Sequence, residues 1–141
     1  MKDLHNHITA KRGLSPKAAV TDNTAYVSEV CDRQGYESVE FLILIGANTD
    51  VNATFTALFE DSADNVTYAA VADADLLGTE AIASFTAADD DNKVRKIGYT
   101  GGKRYQRVTI TPAANDSGNH FVAGCWLLGH PNLAPTPNPP V

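Results

Sequence analysis

Between Lys93 and Thr111 the sequence reads KVRKIGYTGGKRYQRVTIT, two runs rich in Val, Ile, Tyr and Thr separated by Thr100-Gly101-Gly102-Lys103. Paired glycines supply the positive φ that a tight two-residue turn requires, so the spacing predicts a β-hairpin whose arms pair across Gly101 and Gly102. In the second arm Val108 and Ile110 share one parity, while Arg107, Thr109 and Thr111 share the other. That is the period of a strand with one face against a core. A hairpin of this kind needs further strands to cover it, and the rest of the chain is read for them.

With 141 residues the chain suits one domain, which buries roughly 68–70% of the surface exposed by its unfolded form. Ser38 to Ile45, SVEFLILI, is its most apolar stretch. Strand length, β-branched and aromatic content and the flanking Gly35 and Gly46 predict a central strand. Its latter half lacks alternation, as expected for a strand covered on both faces or one lying in the middle of a sandwich. Ala18 to Thr21, Ala25 to Cys31, Ala53 to Glu60, Val66 to Val71 and His120 to Leu128 also read as strands, with Asp32 to Gly35 and Asp61 to Asn65 as turns. Ala69 to Ala83 is alanine-rich and could hold a helical turn, although Gly78 interrupts it. Residues 131–141 contain five prolines and read as an extended tail. The polar segment 1–17 reads as an N-terminal arm, with Leu4, Ile8 and Leu14 as anchors. The fold class expected is all-β: a single β-sandwich over 18–130, jelly-roll-like or immunoglobulin-like, flanked by the arm and the tail.

Composition excludes several classes of function. Eleven Lys and Arg against seventeen Asp and Glu leave a net charge of −6, which works against neutralising nucleic-acid phosphates. No apolar run approaches the roughly 20 residues that cross a bilayer, and MKDLHNHITAKRG lacks the apolar stretch of a secretory signal. Cys31 and Cys125 therefore read as buried reduced thiols, with a disulfide between them as the second reading because their spacing does not fix how closely they approach. His5-Asn6-His7 lacks the further ligands of a metal site, and Asp73, Asp75 and Asp89 to Asp91 lack the glycine and glutamate of an EF-hand loop. Gly101-Gly102-Lys103 is no P-loop, and no nucleophile sits in an elbow motif. The expectation is a non-enzyme without cofactor or metal. Arg95, Lys96, Lys103, Arg104 and Arg107 cluster on the predicted hairpin, either as a solvated face with weak surface pairs or as a basic patch for an acidic neighbour.

Several stretches resemble small structural proteins encoded beside the major capsid gene in tailed bacteriophages and prophages. They are Asp32-Arg33-Gln34-Gly35-Tyr36 with Ser38-Val39-Glu40-Phe41, ADADLLG from Ala72 to Gly78, Arg95-Lys96-Ile97-Gly98-Tyr99, Lys103-Arg104-Tyr105 with Arg107-Val108-Thr109, and Leu128-Gly129-His130-Pro131. The likeness runs over most of residues 20–131 and contains no catalytic signature. It implies a virion structural protein, best matched by a capsid decoration or cement protein that binds the major capsid protein lattice and stabilises the head. Such a protein would be made in the host cytoplasm and end on the capsid surface. Copies of itself would form a symmetric oligomer such as a trimer at local threefold positions. Candidate interface residues are Leu4, Ile8, Leu14, Tyr99, Arg104, Tyr105, Arg107 and Trp126. Two other readings stand beside this one: a head-to-tail connector or tail-tube component, and a carbohydrate-binding or host-attachment module that stacks sugars on Trp126, Tyr99 and Tyr105.

Overall fold

A computed structural model describes residues 2–16, 21–86 and 89–140. In chain order the strands are β1 (Ile8–Leu14), β2 (Tyr26–Val27), β3 (Cys31–Asp32), β4 (Tyr36–Asn48), β5 (Thr54–Ser62), β6 (Ala69–Ala70), β7 (Leu76–Leu77), β8 (Phe85–Thr86), β9 (Val94–Tyr99), β10 (Tyr105–Ala113) and β11 (His120–Pro131). One short helix, α1 (Glu80–Ala83), follows Gly78 and is capped by Thr79 Oγ1, which accepts from the Ile82 N–H at 3.1 Å. The strands form two antiparallel sheets. Sheet A has the order β1-β11-β4-β9-β7, and sheet B the order β2-β10-β5-β6, with β3 also on β10 and β8 on β5. The expected all-β, two-sheet architecture is present, and SVEFLILI lies on the central strand of sheet A.

Alternation explains how the sheets meet. Val39, Phe41, Ile43 and Ile45 of β4 and Trp126 and Leu128 of β11 point inward from sheet A. Phe55, Ala57, Phe59, Val108 and Ile110 point inward from sheet B. Trp126 touches Phe41 at a ring separation of 4.5 Å and meets Phe59 edge-on at 5.7 Å, so it bridges the layers. Its Nε1 donates to the Glu29 carbonyl at 3.0 Å.

The predicted hairpin does not form. β9 pairs with β4 and β7 in sheet A, whereas β10 pairs with β2, β3 and β5 in sheet B. Thr100 to Arg104 is thus a crossing between layers. Neither Gly101 nor Gly102 adopts positive φ; Gly35 and Gly78 do. Gly101 is required for a different reason: a Cβ there would lie 2.5 Å from the Tyr99 hydroxyl. The Tyr99 hydroxyl accepts from the Lys103 N–H at 3.0 Å and donates to Asp61 of β5 at 2.8 Å, and the Lys103 ammonium reaches the same carboxylate at 2.7 Å. This node bends the chain from one sheet to the other, where turn geometry alone would have folded it back.

The terminal segments also differ from the expectation. Ile8 to Leu14 is no arm but the edge strand β1, in register with β11 from Ile8↔Gly129 to Leu14↔Gly124. Thr9 and Leu14 are buried, and a Cβ at Gly13 would come 2.4 Å from the Phe41 ring, so Gly13 lets the strand lie against it. The tail folds back on that edge. Thr136 is buried, its N–H donates to the Asn6 carbonyl at 3.0 Å, and its hydroxyl donates to the Ile8 carbonyl at 2.7 Å. The strand expected over Ala25 to Cys31 is broken into β2 and β3, and that expected over Val66 to Val71 shrinks to β6. The strand expected from Ala18 to Thr21 falls, except for Thr21, outside the described residues.

Tyr99→Phe strips the crossing of its shared acceptor and donor and costs about 1–2 kcal/mol in urea denaturation; an unchanged midpoint would show the node to be dispensable. His120 is fully buried, stacked 3.9 Å from Phe55, and burial pushes its imidazole from 6.5 down to about 4. The unfolded chain therefore binds the extra proton between those values, and stability falls as pH drops through the window, by on the order of 3 kcal/mol. His120→Gln removes that part of the acid profile.

Candidate interaction surface

The expected contact residues divide sharply. Leu14, Tyr99 and Trp126 are in the core, the last with no exposed surface. They hold the two sheets together and present nothing to a partner, so the sugar-stacking platform expected of Trp126 and Tyr99 is absent from the surface. Leu4 is exposed and Ile8 half-buried, side by side at one end of sheet A. Arg104, Tyr105 and Arg107 lie at the opposite layer, on or beside β10.

There the basic cluster is resolved into internal pairs. Arg107 grips Glu60 with two hydrogen bonds of 2.8 and 2.9 Å, and its guanidinium lies 4.1 Å from the Tyr68 ring centroid. Arg104 grips Asp32 at 2.8 and 2.6 Å and covers Tyr105. Both carboxylates are held below their usual range by these guanidinium hydrogen bonds. Arg95, on the other sheet, pairs with Asp90. Thr109 and Thr111 of β10 and Thr54 and Thr56 of β5 share the outward parity with Arg107 and Glu60. Apart from Leu58 and Val27, which are exposed beside Thr109, the outer face of sheet B is polar, and Arg107, Glu60, Arg104 and Asp32 are paired within the chain.

The outer face of sheet A has the opposite character. Leu42 stands across from Cys125 and Lys96, and Leu44 across from Ala123 and Val94. Leu44 is 44% exposed and Val94 63%. Leu127 and Leu77 continue the surface on either side of Glu40 and Gly98. SVEFLILI and FVAGCWLL are apolar at both parities, yet only the inward parity is covered. Of the two readings of the missing alternation, enclosure on both faces fails at Leu42 and Leu44, whereas a place in the middle of a sandwich sheet is the one β4 has. These residues were legible as apolar, but the sequence did not reveal that nothing in the described chain would cover them.

Two of the depressions on this face flank Glu40. One, of about 350 Å³, is lined by Leu4, His7, Ile8, Leu77, Leu127 and His130. Its neighbour, of about 430 Å³, is lined by Leu77, Ile82, Val94 and Lys96. Glu40 belongs to both, its carboxylate lying where a Cβ on Gly98 would sit 2.6 Å from Oε2. Burial raises the Glu40 pKa, and Lys96 offsets part of the rise. Ser38 Oγ and His130 Nδ1, 2.5 Å apart, tie β4 to β11 beside the first depression. Among the described residues no group of three His, Cys, Asp or Glu side chains is arranged to hold a metal ion, and no helix is long and apolar enough to cross a membrane.

No protein-family model and no curated protein matches the chain. Its fold is similar to that in the crystal structure of PBSX exported protein XepA, with a TM-score of 0.55 and 16% sequence identity over 89% of this chain and 38% of that one. The chain thus corresponds to well under half of the larger protein, and the likeness establishes the arrangement of strands.

The contrast between the two faces yields a prediction. The apolar-surface dye bis-ANS binds the folded chain, and replacing Leu44 and Val94 together by Lys abolishes most of the fluorescence while changing stability by no more than about 0.5 kcal/mol per site. Retained fluorescence would place the exposed apolar surface elsewhere.

Proposed function

We propose that this chain is a structural protein of a tailed-phage virion, a capsid decoration protein that seats the outer face of sheet A on a neighbouring subunit. The observation that carries the reading is the uncovered apolar surface formed by Leu42, Leu44, Val94 and Leu127 on a chain whose other face is mostly polar, with its charges internally paired. Contiguous apolar patches rimmed by polar groups are characteristic of surfaces that meet other proteins. The sequence resemblance to capsid-adjacent proteins points the same way, and the fold similar to that of the PBSX exported protein XepA is compatible with it. The major capsid protein is the partner proposed, with further copies of this chain as neighbours around a local symmetry axis. Residues 2–7 and the tail assist from the β1 edge, but the rigid sheet supplies the main contact. Preformed strands lose little freedom on docking, which favours binding.

Adding purified protein to capsids that lack it, and counting bound copies by quantitative mass spectrometry, tests the assignment. Wild type saturates the capsid surface, and the Leu44→Lys, Val94→Lys double variant loses about tenfold or more in affinity, the scale of a central interface residue. Wild-type protein that ignores capsids but copurifies in few copies with tails or the neck would overturn the decoration assignment in favour of a connector. Unchanged binding by the double variant would remove sheet A from the interface.

A further inference from the structure

Glu40 is the anomaly of the apolar face. Its carboxylate makes no hydrogen bond and no ion pair with any described residue, whereas comparably sheltered carboxylates are all engaged: Asp61 by Tyr99 and Lys103, Glu60 by Arg107 and Thr109, Asp90 by Arg95 and Lys93. A sheltered charge without a partner is costly, and a side chain as long as glutamate could reach solvent from a strand surface. Here it lies instead over Gly98, between Leu77 and Leu127. The charged and titratable groups around it are Lys96 and Arg95 from β9, the latter paired with Asp90, Tyr99 at the end of β9, bonded to Asp61, His7 from the turn before β1, His130 from β11 and Glu37 from its own strand. Lys96 acts on Glu40 electrostatically.

An acceptor-only group at the floor of an apolar trough is complementary to a cation on an aliphatic stem. We infer that the trough around Glu40 is a receptor for an arginine side chain presented by a partner protein. The stem would lie along Leu77 and Leu127, and the guanidinium would take Glu40 with the paired hydrogen bonds that Arg107 and Arg104 already make to Glu60 and Asp32 within the chain. Arginine fits better than lysine because its weaker hydration lowers the cost of entering an apolar cleft. The volume, about 350 Å³ on one side of Glu40, is at the small end of binding pockets and suits one side chain. This inference rests on reading sheet A as the contact face, and it identifies the chemistry the partner must bring there.

n-Butylguanidinium is the probe, titrated into the full chain while the leucine methyl resonances are followed by NMR. The expected result is saturable shifts at Leu77 and Leu127 with none at Leu58 on sheet B. Binding should be about tenfold tighter than that of the neutral n-pentanol, the value of a charge-assisted hydrogen bond at a partly sheltered site. The preference should vanish in Glu40→Gln and fade as pH is lowered through the raised Glu40 titration, because protonation removes the anion. Lys96→Gln, which withdraws the competing internal cation, should tighten binding and serves if Glu40→Gln folds poorly. Equal binding of cation and alcohol, or a cation preference surviving in Glu40→Gln, would overturn the inference. The outcomes separate from those of the capsid assay: a bound probe with empty capsids leaves the receptor standing and removes the decoration role, and occupied capsids with no probe response do the reverse.

Discussion

The two layers are held in register by the ring of Trp126. It is fully enclosed, packs on Phe41 of its own sheet and on Phe59 of the other, and Phe59 in turn stacks on Tyr99 at 5.7 Å. Large aromatic side chains each bury about 150–250 Å², so this group dominates the apolar area removed from water. The neighbouring strands have been shaped to admit it. Gly13 on β1 and Gly124 on β11 both lie where an added Cβ would strike the Phe41 ring, at 2.4 and 2.6 Å. The edge strand β1 can therefore sit beside β11 only because Phe41 has somewhere to go. Glu29 completes the closure: its N–H donates to Gly13 of β1 and its carbonyl accepts from Trp126, which ties the segment between β2 and β3 to sheet A.

Carboxylates give the loops their shape. Asp22, Asp32 and Asp64 each accept a backbone N–H two residues on, which is the Asx turn. Asp64 also takes the Thr67 N–H, and these bonds push its carboxyl down to about 2. Asp50 receives the Asp116 and Ser117 N–H groups from the loop before β11, and Asp91 receives that of Asn48. The acidic composition is in good part a set of turn locks. Glu40 stands out against this pattern because it is spent on neither a loop nor an arginine of the chain.

Much of the fold could be read from parity and punctuation. Phe55, Ala57 and Phe59 alternate as a strand half against a core should, Asp32 to Gly35 forms a turn with Gly35 at positive φ, and the acidic run around Asp90 closes the approach to β9. What could not be read depended on distant residues. Gly101-Gly102 has the composition of a hairpin, and what overrules it is Asp61, some forty positions away, drawing Tyr99 and Lys103 across the gap between sheets. β1 escaped notice because Lys11 and Arg12 blur its alternation and its partner is at the far end of the chain. The candidate surface was half legible: the doubled apolar parity of β4 and β11 is plain in the letters, but whether a second layer covers it is a property of topology.

The hydrogen bond from Thr136 to Asn6 places the beginning and the end of the described chain side by side along one border of sheet A. The polypeptide is close to a loop in outline, so a short bridge could join the ends and new ones could be opened at a surface bend such as Asp64-Asn65 without cutting either layer. Anything appended at either terminus would emerge at that same border. Cargo carried there would flank the apolar sheet face and leave the threonine-lined face of the opposite layer clear.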